Sequence, residues 1–150
     1  MEILLDEGRQ YTLSAERTIT FADGLAIAVV DDAVQDVFKL PTGARIVGGE
    51  VVVETAWNMG TTGVIDVGDV TDPNRYSSTA VNLQATGRTA LTLDGFKTTE
   101  TEKKVNVTPA LVGTTATQGQ AYIRIEYVIE DRAHEVQPLD VADYGSKNAP

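Results

Sequence analysis

Residues 44–57 read ARIVGGEVVVETAW, and the spacing of their apolar side chains decides the fold. Val47, Val51, Val53 and Trp57 fall on one side of an extended chain, and Glu50 and Glu54 fall on the other. Successive side chains of a strand point to opposite faces, so this segment reads as a strand with one dry and one wet side. Gly48 and Gly49 in its first half predict a bulge or a close backbone approach. Residues 121–131, AYIRIEYVIED, follow the same rule. Ile123, Ile125, Tyr127 and Ile129 point one way, and Arg124, Glu126 and Glu130 the other.

Weaker alternating runs lie on either side: RTITF (17–21), GLAIAVV (24–30), TGVIDV (62–67), RTALTL (88–93) and KKVNVTP (103–109). In RTALTL, Thr89, Leu91 and Leu93 alternate with Arg88, Ala90 and Thr92. Turn-forming clusters separate the runs: FADG, LPTG, NMGTTG, TDPN, LDG and VGTTATQG. Residues 31–41, DDAVQDVFKLP, fit two readings. Val34, Val37 and Phe38 suit one face of a helix capped by Asp31 or Asp32. A strand must instead bury Asp36 or bulge around it, and we read a strand that ends at the LPTG turn. Short strands divided by frequent turns predict an all-β chain: a two-sheet antiparallel sandwich, jelly-roll-like, of about eight strands.

The full chain of 150 residues fits one domain, and a hydrophobic content of 42% is enough for a self-sufficient core. It has no cysteine, which excludes disulfides, thiol nucleophiles and zinc–thiolate sites. A formal net charge of −10 argues against nucleic-acid binding and against anionic membranes. The first residues, MEILLDEGRQ, carry acids where a secretory signal has a basic region, so synthesis in the cytoplasm is expected.

Chemistry is harder to find. Residues 64–76, VIDVGDVTDPNRY, hold Asp66, Asp69 and Asp72. A calcium loop needs oxygen ligands at alternate positions, a central glycine and a distant glutamate; here the acids are spaced by three and no such glutamate follows. Asp66 should face water at a strand end. TDPN is a turn in which the Asp72 side chain should accept a backbone hydrogen bond two residues on. The single histidine, His134, lies in an unpatterned tail, and Ser77 and Ser78 have no base near them in sequence. Glu50 and Glu54 could form a carboxylate pair for glycoside cleavage, but a solvated strand face explains them more simply. Trp57 reads as core rather than as a sugar platform. No catalytic residue, cofactor or metal is expected.

Residues 40–76, LPTGARIVGGEVVVETAWNMGTTGVIDVGDVTDPNRY, combine an LP-x-GA turn, a GGEVVV strand, a GTT loop, an I-x-VGD strand and a D-P-x-RY turn. With the continuation NLQATGRTALTLDGFK (82–97) and VNVTPALVGTTATQGQAYIRIEYVIEDRA (105–133), this order resembles the head cement, or decoration, proteins of tailed bacteriophages, over residues 20–133. The resemblance implies a non-enzymatic virion protein on the capsid exterior. It would bind the major capsid protein and stabilise the shell by bridging neighbouring subunits. It would also pair with itself, as a homo-dimer or homo-trimer on the capsid's symmetry axes.

On this reading residues 1–20 form an N-terminal arm or edge strand, 21–133 the sandwich, and 134–150 a C-terminal tail. Extended arms can add a strand to a partner's sheet edge. Tyr11 and Leu13 in the first segment, Tyr76 and Tyr122 on the sandwich, and Tyr144 in the tail are the expected interface side chains. The alternatives are a head-fibre base or tail-associated module that binds a host surface glycan, a free-standing carbohydrate-binding module, and a glycoside hydrolase.

Overall fold

The computed structural model describes residues 12–23, 34–93 and 103–129. Among the described residues eight strands form in chain order: β1 (Leu13–Thr20), β2 (Gln35–Leu40), β3 (Ala44–Thr55), β4 (Thr62–Gly68), β5 (Val81–Asn82), β6 (Gly87–Ala90), β7 (Lys103–Val112) and β8 (Gln120–Ile129). The GLAIAVV run lies outside the described residues. So do Tyr11, His134 and Tyr144.

The strands form two antiparallel sheets, ordered β1-β8-β3-β6 and β2-β7-β4-β5. The order has a simple origin. The first strand pairs with the last, the second with the seventh, the third with the sixth and the fourth with the fifth. Such nested pairs describe one long hairpin. Rolling it up brings β8 beside β3 and β7 beside β4, which supplies the remaining ladders. This is the double-sheet jelly roll, as the alternation of the sequence predicts.

The core lies between the sheets. Val51, Ile65, Val67, Val105, Val107, Ile123 and Ile125 are all fully buried. Burying each such side chain stabilises the fold by about 1.5–3 kcal/mol relative to leaving it in water. Leu83, Val81 and Met59 extend the core towards one end of the sandwich, and Leu40, Ala44 and Ile46 extend it along the other. Pro109 sits in β7, a central strand, where proline is rare. It pairs with Ile65 of β4 but lies past Val107, where β2 stops pairing, so among the described residues β7 is flanked on one side only there.

Register shifts in β2 and β3 correct the strict alternation. In β3 the register shifts between Ile46 and Gly48. Ala44 and Ile46 are buried before the shift, Val51 and Val53 after it, and Val47, expected on the dry face, is left partly exposed. In β2 the register shifts between Asp36 and Phe38. Val37 is the extra residue and is buried, while Asp36 stays paired with Asn106 on the exposed face, its carboxylate held by the Lys104 ammonium. The helical alternative for this segment does not form. Across the open side of the sandwich the Arg17 guanidinium reaches from β1 to the carbonyl of Asp36, 2.8 Å away, and ties the two sheets together.

The loops collect at two ends. At one end Phe21 N donates to Gly119 O, Trp57 N to Leu83 O, and Thr117 N to Asn58 Oδ1. At the other, Thr92 N donates to Tyr76 O, and Ser78 meets Thr92. Leu13 lies opposite Tyr127 and Ile129 opposite Ala44, so both ends of the described sandwich leave at this second end.

Candidate functional site

Three surfaces present themselves: the outer face of the β1-β8-β3-β6 sheet, the loop of residues 69–76, and the sheet edges. Their side chains follow from strand phase. With Ile123 and Ile125 committed to the core, Tyr122, Arg124 and Glu126 must point outward.

On that outer face four charges alternate across the whole sheet. Glu16 of β1 stands opposite Arg124 of β8, which stands opposite Glu50 of β3. Arg124 donates to Glu16 at 2.9 and 3.0 Å and reaches Glu50 at 3.4 Å. Glu50 in turn holds Arg88 of β6. The hydrogen bond to Glu16, and then its charge, push the Arg124 pKa further up, so this group is a fixed cation. The Arg124 guanidinium also lies 5.7 Å from the centre of the Tyr122 ring. Above the β3 bulge a shallow depression of about 430 Å³ opens between Gly48, Gly49, Glu50, Arg88, Leu91, Arg124 and Glu126.

This face does not assemble an active site. Glu50 is engaged by two arginines, and Glu54 accepts a hydrogen bond from Gln120 Nε2 at 2.7 Å. The carboxylates are partners of neighbouring strands rather than a pair aimed at a substrate. Exposed ion pairs of this kind contribute little. Arg88→Ala, whose side chain is 64% exposed, should therefore lower the unfolding free energy by no more than about 1 kcal/mol, read by urea titration.

The aspartate cluster resolves differently from the sequence expectation. Asp69, not Asp72, makes the side-chain turn. Its Oδ1 accepts from Thr71 N at 2.8 Å and Asp72 N at 2.9 Å, and its Oδ2 from Arg75 Nε at 2.5 Å. The Asp69 carboxylate is buried against its own loop. Asp72 contributes its backbone carbonyl, which accepts from Asp69 N and Arg75 N. Asp66 is partly buried rather than fully exposed. Among the described residues no group of three or more His, Cys, Asp or Glu side chains gathers to hold a metal.

The loop then returns to the core. Tyr76 N donates to Val67 O, and Ser77 Oγ accepts from Val67 N at 2.8 Å. Ser77 is thus a buried structural hydroxyl. Tyr76, expected at an exposed interface, is only 2% exposed and packs in the core. Trp57 is core, as its strand phase predicts, and Gly119 lies against its ring.

Of the remaining interface candidates, Leu13 opens β1 and stands opposite Tyr127, on the inward-facing side of the sheet. Tyr122 lies on the outward side, opposite Thr18 and Val52. The structure does not bring the two together. Sequence reasoning also missed Val70, which is 80% exposed at the tip of the 69–76 loop. The available signal was an isolated apolar residue between turn-forming aspartates.

No family model and no curated protein matches the chain. Solved structures are. A chain in the capsid asymmetric unit of cyanophage Pam1 shares 21% identity with a TM-score of 0.61, over 79% of this chain and 84% of that one. A chain in the capsid of Ralstonia phage GP4 shares 20% identity with a TM-score of 0.58, over 82% and 86%. A chain in the acid-stable capsid of Helicobacter pylori bacteriophage KHP30 shares 16% identity with a TM-score of 0.56, over 78% and 86%. At these identities the likeness is one of fold, and it spans most of each chain.

Proposed function

We propose that this chain is a non-enzymatic structural protein of a tailed-phage virion. It sits on the outside of the capsid and braces it by bridging neighbouring subunits of the major capsid protein. One observation carries the reading: a similar fold, over 78–82% of this chain, occurs in chains of the Pam1, GP4 and KHP30 capsids.

The physics of the molecule supports the role. A shell filled with DNA is pushed outward, and separating two subunits must also break the contacts of any protein that spans them. Weak contacts suffice when one copy makes two of them, because the second forms at an effective concentration in the millimolar range. Two sheets closed over one core, and tied by Arg17, give a stiff bridge. A net charge of −10 favours basic patches on a shell protein and disfavours contact with packaged DNA. Copies placed on capsid symmetry axes would repeat each contact. The glycan-binding alternative needs aromatic rings open to solvent, whereas Trp57 and Tyr76 are in the core and Tyr122, on the outer face, has the Arg124 guanidinium 5.7 Å from its ring centre.

A cryo-electron-microscopy map of the particle tests this directly. Copies in the hundreds, on the outer surface and across subunit boundaries, are expected. Particles made without the protein should release their DNA at a lower temperature and under milder osmotic shock. A few copies at one vertex or on the tail, a position against the genome, or undiminished resistance of the depleted particles would overturn the proposal.

A further inference from the structure

We propose that β6 is a self-pairing edge: a second copy of this chain adds its own β6 antiparallel to it, across a two-fold axis at Thr89, and joins the two sheets into one. The pairing stands on the chemistry of the edge and not on the capsid-bracing role.

The edges of the sandwich are not alike. At the open side between β1 and β2, Arg17 sits in the inward phase of β1, between Ala15 and Ile19, and reaches the carbonyls of Asp36 at 2.8 Å and Val37 at 3.4 Å. The register of β2 shifts at the same place. An inward charge and a bulged register keep another strand from adding there. β5 is only two residues long. Among the described residues β6 ends its sheet with neither device, and all four of its residues are exposed. A Cβ on Gly87 would meet nothing within 4 Å, so the approach is open at that end.

Backbone direction fixes what the edge offers. Leu91 N donates to Gly49 O, so Leu91 faces β3. In an antiparallel ladder the N–H and C=O of one residue point the same way, and the direction alternates along the strand. Thr89 and Gly87 therefore face β3 too, while Arg88 and Ala90 turn their N–H and C=O to the open edge. Thr92 N donates to Tyr76 O, so the open stretch stops at Ala90.

Those groups choose the register. A two-fold at Arg88 would set two guanidiniums opposite each other, which is unfavourable. One at Ala90 would need Thr92, which is turned to Tyr76. A two-fold at Thr89 sets Arg88 against the partner's Ala90 and Ala90 against the partner's Arg88, and these hydrogen-bonded pairs use every outward backbone group of β6. Thr89 meets the partner's Thr89, a favourable cross-strand pair. The charges match as well. Ala90 stands opposite Glu50, so the row of Glu16, Arg124 and Glu50 continues past this small side chain to the partner's Arg88.

So short a strand makes a small contact, and the dissociation constant of the dimer should lie between about 10 µM and about 1 mM, read by sedimentation equilibrium of the full chain. Ala90→Pro removes an N–H that the fold itself does not use. Ala90→Lys stands beside Glu50 of its own chain but faces the partner's Arg88. Each should raise the dissociation constant at least about tenfold with the urea midpoint of Ala90→Lys unchanged. The chain has no cysteine, so one introduced thiol reports the register. Across the axis the two copies of residue 89 lie about 4.5 Å apart at Cα, within disulfide reach, and the two copies of residue 90 about 8 Å apart, beyond it. Under oxidation Thr89→Cys should therefore form covalent dimers at least about tenfold faster than Ala90→Cys. Equal rates, a dimer indifferent to Ala90→Lys, or monomer alone at about 1 mM protein would each overturn the pairing. The bracing role would survive any of these results, because its own test is the place and number of copies on the particle.

Discussion

Asp69→Ala should lower the unfolding free energy by about 3–5 kcal/mol, the range found when one partner of a buried ion pair is removed. The carboxylate is 2% exposed and meets three donors: two backbone amides and the Arg75 guanidinium. Alanine returns none of these bonds and leaves the Arg75 side chain, 13% exposed, with the Asp72 carboxylate at 4.0 Å in place of the 2.5 Å contact to Asp69. The damage should spread, because the same loop delivers Tyr76 to the core. Asp69→Asn keeps one acceptor for the amides and should lose less, about 1.5–3 kcal/mol. Adding Arg75→Met to Asp69→Ala should recover part of the loss, since an apolar side chain needs no counter-ion. Urea titration at constant slope measures all three. A loss below about 1 kcal/mol for Asp69→Ala would mean that the carboxylate is not what holds the loop, since surface changes stay within about 0.5 kcal/mol.

That pair also marks where sequence reading stopped. The period-two pattern of residues 44–57 and 121–131 was legible because strand phase is local: a side chain faces the core or water according to its parity. The bulge at Gly48 was legible as a possibility, but its direction was not. Whether Val47 or Ile46 turns inward depends on which residue of β8 stands opposite, and that is a long-range fact. Asp36 shows the same limit. A bulge and the Lys104 partner became visible only once β7 lay beside β2. The turn at residues 69–76 was readable as a turn, yet Asp69 and Asp72 could each have capped it by local rules. Burial decided between them, and burial is set by how the loop folds back on Val67. Tyr76 was misplaced for the same reason. The interaction surface was legible only in negative, as an absence of catalytic patterns. Nothing in Gly68-Asp69-Val70 distinguishes a fastened knob from a floppy tip until the hydrogen bonds are drawn.

Gly119→Ala should cost between about 2 and 6 kcal/mol, for two separable reasons. Gly119 has φ +151, which a side chain rarely adopts, and its Cβ would lie 2.3 Å from Trp57 Cδ2 and 2.4 Å from Cε2. Trp57 cannot step aside. It is 2% exposed, packs in the core, and its backbone amide is bonded to Leu83 O at 2.9 Å. Gly119 itself accepts from Phe21 N at 3.1 Å, so the clash falls where loops from both sheets meet. Gly87 isolates the first reason from the second. It has the same φ, +151, with nothing within 4 Å of a Cβ, so Gly87→Ala meets only the backbone penalty of about 1–3 kcal/mol. The difference between the two substitutions, read from urea midpoints at an unchanged slope, measures how firmly the Trp57 ring is fixed. Gly119→Ala should be the costlier by at least about 1 kcal/mol, the lower end of what overpacking a filled core costs. Equal losses would mean that the ring moves freely, and with it the end of the sandwich that a stiff brace needs to keep shut.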